Sequence, residues 1–281
     1  MITIFSIPKP FDNNFGRIQE NAIRSWLLLE PKPEIILFGD ESGTKEICEK
    51  YKIKHFSDIL RNEYDTPLLN DVFSKAKTNA SFNTLCFINT DIILNPKLPK
   101  ILDFVLSKYK NFLLIGQRYD FDLNFDIDFS DKNYFDKLFE EVIKNGKLHP
   151  PTGIDYFIYP KDLFDTIPPF TIGRTAYDEW FIYYAKKMKA KVFDLTYIMP
   201  IIHQNHPYKT KSGGFFDPWK TKEAEINLKL AGGYGYCYTI DDADYIITEN
   251  YEIKPKKKSL NHYLIIFKRI IQRIRDRYRF K

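Results

Sequence analysis

The chain has 281 residues, 44% of them hydrophobic and 28% charged, which supports a sizeable core and excludes a globally disordered chain. The net charge of +5 is unevenly spread: residues 254–281 hold eleven Lys or Arg against the single acid Asp276, leaving 31 basic and 36 acidic groups in residues 1–253. Three scattered cysteines, Cys48, Cys86 and Cys237, form neither a zinc pattern nor a disulfide framework and point to a reducing compartment; no secretory leader opens the chain, and no apolar run approaches the ~20 residues of a membrane span.

Residues 2–7 read as a strand ended by Pro8-Lys9-Pro10, and Asp12-Asn13-Asn14 suits a helix cap. Ile18, Ala22, Ile23, Trp26 and Leu27 recur at helical spacing until Pro31 and Pro33 stop the pattern. Glu34 to Phe38 is a second strand, followed by Gly39-Asp40. A short helix over 44–51 and a strand over 53–56 come next. A helix over 66–77 shows Leu68, Leu69, Val72, Phe73 and Ala76 on one face, and then comes the apolar run from Leu85 to Ile88. The order βαβαβαβ implies a mostly parallel sheet with helices on both faces.

That run is broken by Asn89-Thr90-Asp91 before Ile92-Ile93-Leu94 resumes it. Polar groups inside so apolar a stretch are costly unless they bond to something. Two explanations stand: a turn whose Asn and Asp bond local backbone, or oxygen ligands for a divalent cation. Three polar groups, Pro8-Lys9, Gly39-Asp40 and Asn89-Thr90-Asp91, fall at carboxyl ends of strands, where open α/β sheets bind ligands.

Further on, a helix spans about 97–109, and a strand over 112–116 leads into Gln117-Arg118-Tyr119-Asp120. A helix over 131–145 is stopped by Gly146. His149 to Asp155 is a loop, Tyr156 to Tyr159 a strand, and 167–174 a Pro-rich connection. A helix starts at Tyr177-Asp178-Glu179-Trp180 and runs to about Lys189. Val192 to Ile198 is a strand, and Ile201-Ile202 leads into His203-Gln204-Asn205-His206. Residues 207–218, with Tyr208, Lys209, Lys211, Gly213 and Gly214, read as a mobile lid or a plain surface loop, and 219–230 as a helix. No Pro/Gly/Ser linker divides the chain, so residues 1–253 read as one domain and 254–281 as a tail.

In order and spacing these motifs resemble the nucleotide-diphospho-sugar glycosyltransferases of the GT-A type over about residues 1–250, of the bacterial surface-glycan kind. The resemblance implies an α/β fold: one GT-A-like, Rossmann-like domain with a mostly parallel central sheet. It implies an enzyme that moves a sugar from a nucleoside-diphosphate-sugar donor, UDP-sugar favoured, to a glycan or lipid-linked acceptor. A divalent metal, Mn²⁺ or Mg²⁺, would steady the diphosphate leaving group. Asp91 would be its principal ligand. Asn89 stands where many members have an acid and offers an oxygen without charge; His203 or His206 would add a ligand, or else serve only as hydrogen-bonding or surface residues. Pro8, Lys9, Asp40, Asn89, Thr90 and Asp91 would hold the donor. Arg61 would pair with a phosphate, unless it forms a surface salt bridge. Asp178 would be the general base, with Glu179, roughly 100° away on the helix, as the alternate. Gly153 and Asp155 would shape the sugar pocket. Tyr177 and Trp180 would offer ring faces to the sugar, or pack in the core.

Two other functions fit parts of the sequence. A sugar nucleotidylyltransferase would carry a Gly-rich basic loop after the first strand, where residues 8–16 offer only Gly16. A non-catalytic, membrane-docked sugar-nucleotide-binding module would account for Asn89. The tail has its own pattern: Tyr263, Ile266, Phe267, Ile270, Ile271, Ile274 and Tyr278 make a helical stripe with basic residues on the other faces. Such a helix reads as an anchor on an anionic membrane surface, or as a helix packed on the globule; no motif points to nucleic acid. The expected location is cytoplasmic and peripheral, on the inner face of the membrane.

Overall fold

The computed structural model describes residues 1–206, 217 and 220–279. Short apolar runs form strands, and the amphipathic stretches between them cover both faces. The succession is β1 (Thr3–Ser6), α1 (Asn13–Leu27), β2 (Glu34–Phe38), α2 (Thr44–Tyr51), β3 (Lys54–Phe56), α3 (Leu69–Asn79) and β4 (Thr84–Ile88). Then follow β5 (Ile92–Ile93), α4 (Leu98–Leu106), β6 (Phe112–Ile115), β7 (Arg118–Phe121), α5 (Tyr134–Asn145), β8 (Lys147–Leu148) and β9 (Tyr156–Pro160). The remainder is α6 (Tyr177–Lys187), β10 (Lys191–Asp194), β11 (Ile201–Gln204), α7 (Lys222–Ala231), β12 (Tyr245–Ile247), β13 (Ile253–Pro255) and α8 (Leu260–Arg279).

Nine strands form one sheet in the order β13-β12-β10-β6-β9-β4-β1-β2-β3. It is parallel except for β9, antiparallel to both β4 and β6, and β13 at the edge. Alternate residues face opposite sides. Phe5, Phe87 and Leu113 pack against α3 and α6 through Val72, Phe73 and Phe181. Ile4, Cys86 and Leu114 pack against α1 and α4 through Ala22, Trp26 and Ile101. Burial on both faces is why these strands read as continuous apolar runs.

The Asn89–Asp91 break is a change of sheet. After β4 the chain leaves the large sheet and enters a second one, β5-β11-β7-β8. In it β11 runs antiparallel to β5 and parallel to β7. Ile93, Phe121 and Ile202 bury its inner face against Phe135, Leu138 and Val142 of α5. Trp26, fully buried, donates its Nε1 hydrogen to the Ile92 carbonyl at 2.9 Å and so ties α1 to β5.

The expected helices are present with shifted ends. The strand expected over 192–198 stops at Asp194, whose carboxylate accepts from the Thr196 backbone at 2.9 Å and from Lys256 at 2.7 Å. Strands β7, β8, β12 and β13 were not anticipated. The lid residues Tyr208, Lys209, Lys211, Gly213 and Gly214 lie outside the described residues.

Replacing Trp26 by Ala should lower the unfolding free energy by about 3–5 kcal/mol in urea titrations, because a large buried ring and its bond to β5 both go. Trp26→Phe should cost clearly less; an equal loss would show that the bond to Ile92, not the ring, holds α1 in place.

Candidate active site

The carboxyl ends of β1, β2 and β4 converge on one edge of the large sheet, and the break after β4 is pinned there. Ser6 Oγ donates to the Ile88 carbonyl at 2.5 Å and lies 2.7 Å from Thr90 Oγ1. Gln204 donates to the Asp91 carbonyl from its backbone at 3.3 Å and its side chain at 3.2 Å, and accepts from Asn21 at 3.0 Å. These bonds hold the Asp91 backbone between α1 and β11.

The Asp91 carboxylate meets two imidazoles. His206 Nε2 is 3.1 Å and His203 Nε2 3.7 Å from Asp91 Oδ2. One ligand atom from each of the three residues fits within 4.8 Å. Burial pushes the Asp91 carboxyl up, but His203, His206 and Lys9 outweigh it and hold the group well below the ordinary carboxylate range. Burial disfavours the charged form of His203, yet Asp91 and Asp120 prevail and its pKa is raised. The other oxygen, Asp91 Oδ1, is buried with no hydrogen-bond partner among the described residues. A carboxylate, two imidazoles and an unsatisfied buried oxygen form a mixed O/N donor set suited to Mn²⁺.

Outer residues orient these groups. Asp120 Oδ1 lies 3.3 Å from His203 Nδ1, and Asp120 Oδ2 lies 2.6 Å from His149 Nδ1. Arg118 donates to Asp120 Oδ1 at 2.8 Å and, through Nη1, to both oxygens of Asp155 at 2.8 and 2.9 Å. A carboxylate behind a ligating imidazole fixes its ring orientation. Arg118, Asp120 and His149 were not anticipated as site residues. The sequence signal was an Arg-x-Asp directly after a buried strand; that spacing puts both side chains on one face of β7.

Asn89 was expected to lend an oxygen to a metal. The structure fixes its amide nitrogen rather than its oxygen: Nδ2 donates to Asp155 Oδ1 at 2.8 Å, and its backbone donates to the Asp155 carbonyl at 2.9 Å. Thr90 is held by Ser6 as described. Gly153 lies against His149, where an added Cβ would sit 2.2 Å from the ring. Lys9 has its backbone clasped by the Gln19 side chain at 2.7 and 2.8 Å, and its ammonium lies 4.6 Å over the Phe15 ring, which in turn packs 4.9 Å from His206. Pro8 is buried beside it.

Asp178 and Glu179, in the first turn of α6, diverge. Burial, then Glu179 and then Asp155, raise the Asp178 carboxyl well above its ordinary range, despite backbone N–H groups that favour the charge. Glu179 turns toward Cys237 and Arg269, and burial raises its pKa.

Three expectations need correction. Trp180 is 6% exposed, stacked 4.6 Å from Tyr184 and edge-on to Phe170, so its faces are covered by core residues and none is offered to a sugar. Tyr177 is equally buried, edge-on to Phe181. Arg61, considered for a phosphate, binds Asp40 at 2.6 Å and Glu41 at 2.9 Å, the salt-bridge alternative. Asp40 is exposed on the rim of a groove beyond β2, which Glu41, Ser42 and His55 also line.

Calorimetric titration with Mn²⁺ should show one site, lost in Asp91→Ala and weakened in His206→Ala. Imidazoles ligate only when neutral. Because the His203 pKa is raised, affinity should begin to fall, as pH drops, above the range of an ordinary histidine. Gly153→Ala should weaken the site by about 10- to 100-fold by pushing His149 off Asp120, although it touches no ligand; unchanged affinity would remove the Asp120–His149 pair from the support of the site.

No protein-family model and no curated protein matches the sequence. Solved structures do resemble the fold. TarS of S. aureus (residues 1–349), in complex with UDP-GlcNAc, superimposes with a TM-score of 0.55 at 14% identity, over 96% of this chain and 72% of that one. The same protein in complex with UDP gives a TM-score of 0.50 at 13% identity, over 96% and 70%. GalNAc-T7 with UDP, GalNAc and Mn²⁺ gives 0.53 at 12% identity over 82% of this chain, which spans only 48% of that protein. The chain has the GT-A fold of the nucleotide-diphospho-sugar glycosyltransferases.

Proposed function

We propose that the chain is a glycosyltransferase that moves a sugar from a nucleoside-diphosphate-sugar, UDP-sugar favoured, to a hydroxyl of a glycan or lipid-linked acceptor. The observation that carries this reading is the Asp91–His203–His206 cluster at the strand ends, in one cleft with Asp178 through Arg118 and Asp155. Two similar structures hold UDP or UDP-GlcNAc, and a third holds UDP with Mn²⁺. Residues 1–253 carry the chemistry. The three cysteines, all free and buried, agree with a cytoplasmic protein.

In this reading Asp91, His203 and His206 hold Mn²⁺ or Mg²⁺. When bound, the metal supplies Lewis-acid stabilisation to the departing diphosphate. Lys9, beside Asp91, adds a positive charge on the donor side. Asp120 and His149 hold His203 in place, and Arg118 fixes Asp155 and Asp120 through its hydrogen bonds. Asp178 takes the proton from the acceptor hydroxyl as that oxygen attacks the anomeric carbon. Its raised pKa makes its carboxylate a stronger base than an ordinary aspartate. A base works only when deprotonated, so kcat/KM should fall on the acid side at a pH above the ordinary carboxylate range.

Asp178→Asn should cut sugar transfer by about 10²- to 10⁴-fold and remove that acid limb, while UDP binding persists. Glu179→Gln should keep the limb but move it to lower pH, because one of the negative neighbours that raise Asp178 is gone. UDP should raise the melting temperature only when Mn²⁺ or Mg²⁺ is present; the same rise under a chelator would discard the metal from donor binding.

A further inference from the structure

An amphipathic helix on a globular protein turns its apolar stripe inward. The helix α8 does the reverse. Its inner face is polar: Arg269 grips both oxygens of Asp242 at 2.7 and 2.8 Å with its guanidinium 4.7 Å over the Tyr238 ring. Arg273 donates to the Gly235 carbonyl at 2.8 Å and to the Tyr238 hydroxyl at 2.9 Å. His262 and Asp276 are buried on the same side. Gly235 permits this approach, since an added Cβ there would lie 2.6 Å from Arg273 and 3.0 Å from the Arg269 carbonyl. The apolar residues are left outside: Leu260 is 79% exposed, Tyr263 58%, Leu264 53%, Phe267 61%, Ile270 49% and Ile274 56%.

We propose that this outward face of α8 lies in the surface of a bilayer containing anionic lipid. Exposed apolar surface of this extent marks an interaction site. At 100° per residue these six exposed apolar positions sweep roughly 120°, wider than the narrow seam of a two-stranded coil. Lys268 and Arg275 stand exposed along one edge. Of the eleven basic residues in 254–281, Lys254, Lys256 and Arg269 are paired with acids of this chain and Arg273 faces inward, but the rest still outnumber the single acid Asp276, so a second copy would bring like charge against like, whereas anionic headgroups complement it. The arginine clamps fix which face is outward, so the helix is presented ready-folded and its ordering is not a cost of docking. No helix among the described residues is long and apolar enough to cross a membrane, which leaves this face a surface role. The proposal does not depend on the sugar-transfer reading, because vesicle binding is measured without donor or acceptor.

The test is sedimentation of the full chain with vesicles of phosphatidylcholine mixed with phosphatidylglycerol, against phosphatidylcholine alone. The unaltered protein should bind the mixed vesicles and lose most of that binding in high salt. The double variant Phe267→Glu/Ile270→Glu should bind about tenfold less or weaker still, and Lys268→Glu/Arg275→Glu should lose the preference for anionic lipid. Both should keep the circular dichroism and melting temperature of the parent, since neither touches the inner face. Failure of the unaltered protein to bind, equal binding to both vesicle types, or undiminished binding by the glutamate variants would overturn the proposal. So would a dimer in sedimentation equilibrium that Phe267→Glu/Ile270→Glu dissolves in a protein that ignores vesicles.

Discussion

The cleft depends on one buried carboxylate. Asp155 is 4% exposed at the entry to β9, the strand that runs antiparallel between β4 and β6. A carboxylate there costs several kcal/mol unless it is compensated. Compensation comes from two directions: Asn89 donates from the end of β4, and Arg118 donates to both oxygens from β7. The same three side chains therefore lock the large sheet to the small one at the point where the chain passes between them. This also explains the amide at position 89. An acid in its place would face Asp155 with a second buried negative charge and no proton to give. Asn89 serves as a donor to its neighbour, and the charge that a ligand pair would share rests on Asp91 alone.

Charge alternates outward from that point. Arg118 bridges Asp155 and Asp120, Asp120 divides between His149 and His203, and His203 faces Asp91. Four carboxyl groups (Asp91, Asp120, Asp155 and Asp178) thus share the cleft with one permanent cation, Arg118, and with Lys9, whose pKa burial lowers although Asp91 opposes the shift. Protonated histidines can make up part of the deficit, and a bound divalent cation can replace them at Asp91. The two are alternatives, because an imidazole that carries a second proton has no lone pair for a metal.

The parts of this arrangement legible in the sequence were those with a local signature. Apolar runs and helical spacing gave the element order as far as β4, and Asp91 stood out as a polar interruption in an apolar run. Asp178 stood out at a helix start, and the two histidines in a short polar stretch. Arg118, Asp120 and His149 were hidden for a different reason. Arg118 and Asp120 sit on a strand of four residues and His149 directly follows one of two, and the partners of these strands lie far along the chain, β11 for β7 and β7 for β8. Strands so short show no measurable alternation, and the pairing that gives them meaning is not local. The tail was half legible. Periodicity separated its apolar and basic faces, but no periodicity states which face is docked; the Asp242 and Tyr238 partners decide that, and they are distant in sequence.

The start of α6 links the cleft to the tail. Ala176, immediately before the helix, is held at φ 80°, a left-handed conformation costly for a residue with a Cβ. The chain thereby enters the helix so that successive side chains point to different places. Asp178 feels the charge of Asp155, and Glu179 turns to Cys237 and Arg269, with the Tyr238 backbone donating to the Glu179 carbonyl at 3.1 Å. Asp155 and Asp178 are then treated unequally. Asn89 and Arg118 are both spent on Asp155. Asp178 is left half-buried, with backbone N–H groups in its own first turn and the negative charges of Glu179 and Asp155 acting on it. Neighbouring carboxyl groups whose surroundings differ in this way acquire different proton affinities, and the less compensated one becomes the group that takes up a proton. In this cleft that group is Asp178: burial first, then the charge of Glu179 and that of Asp155, raise its proton affinity.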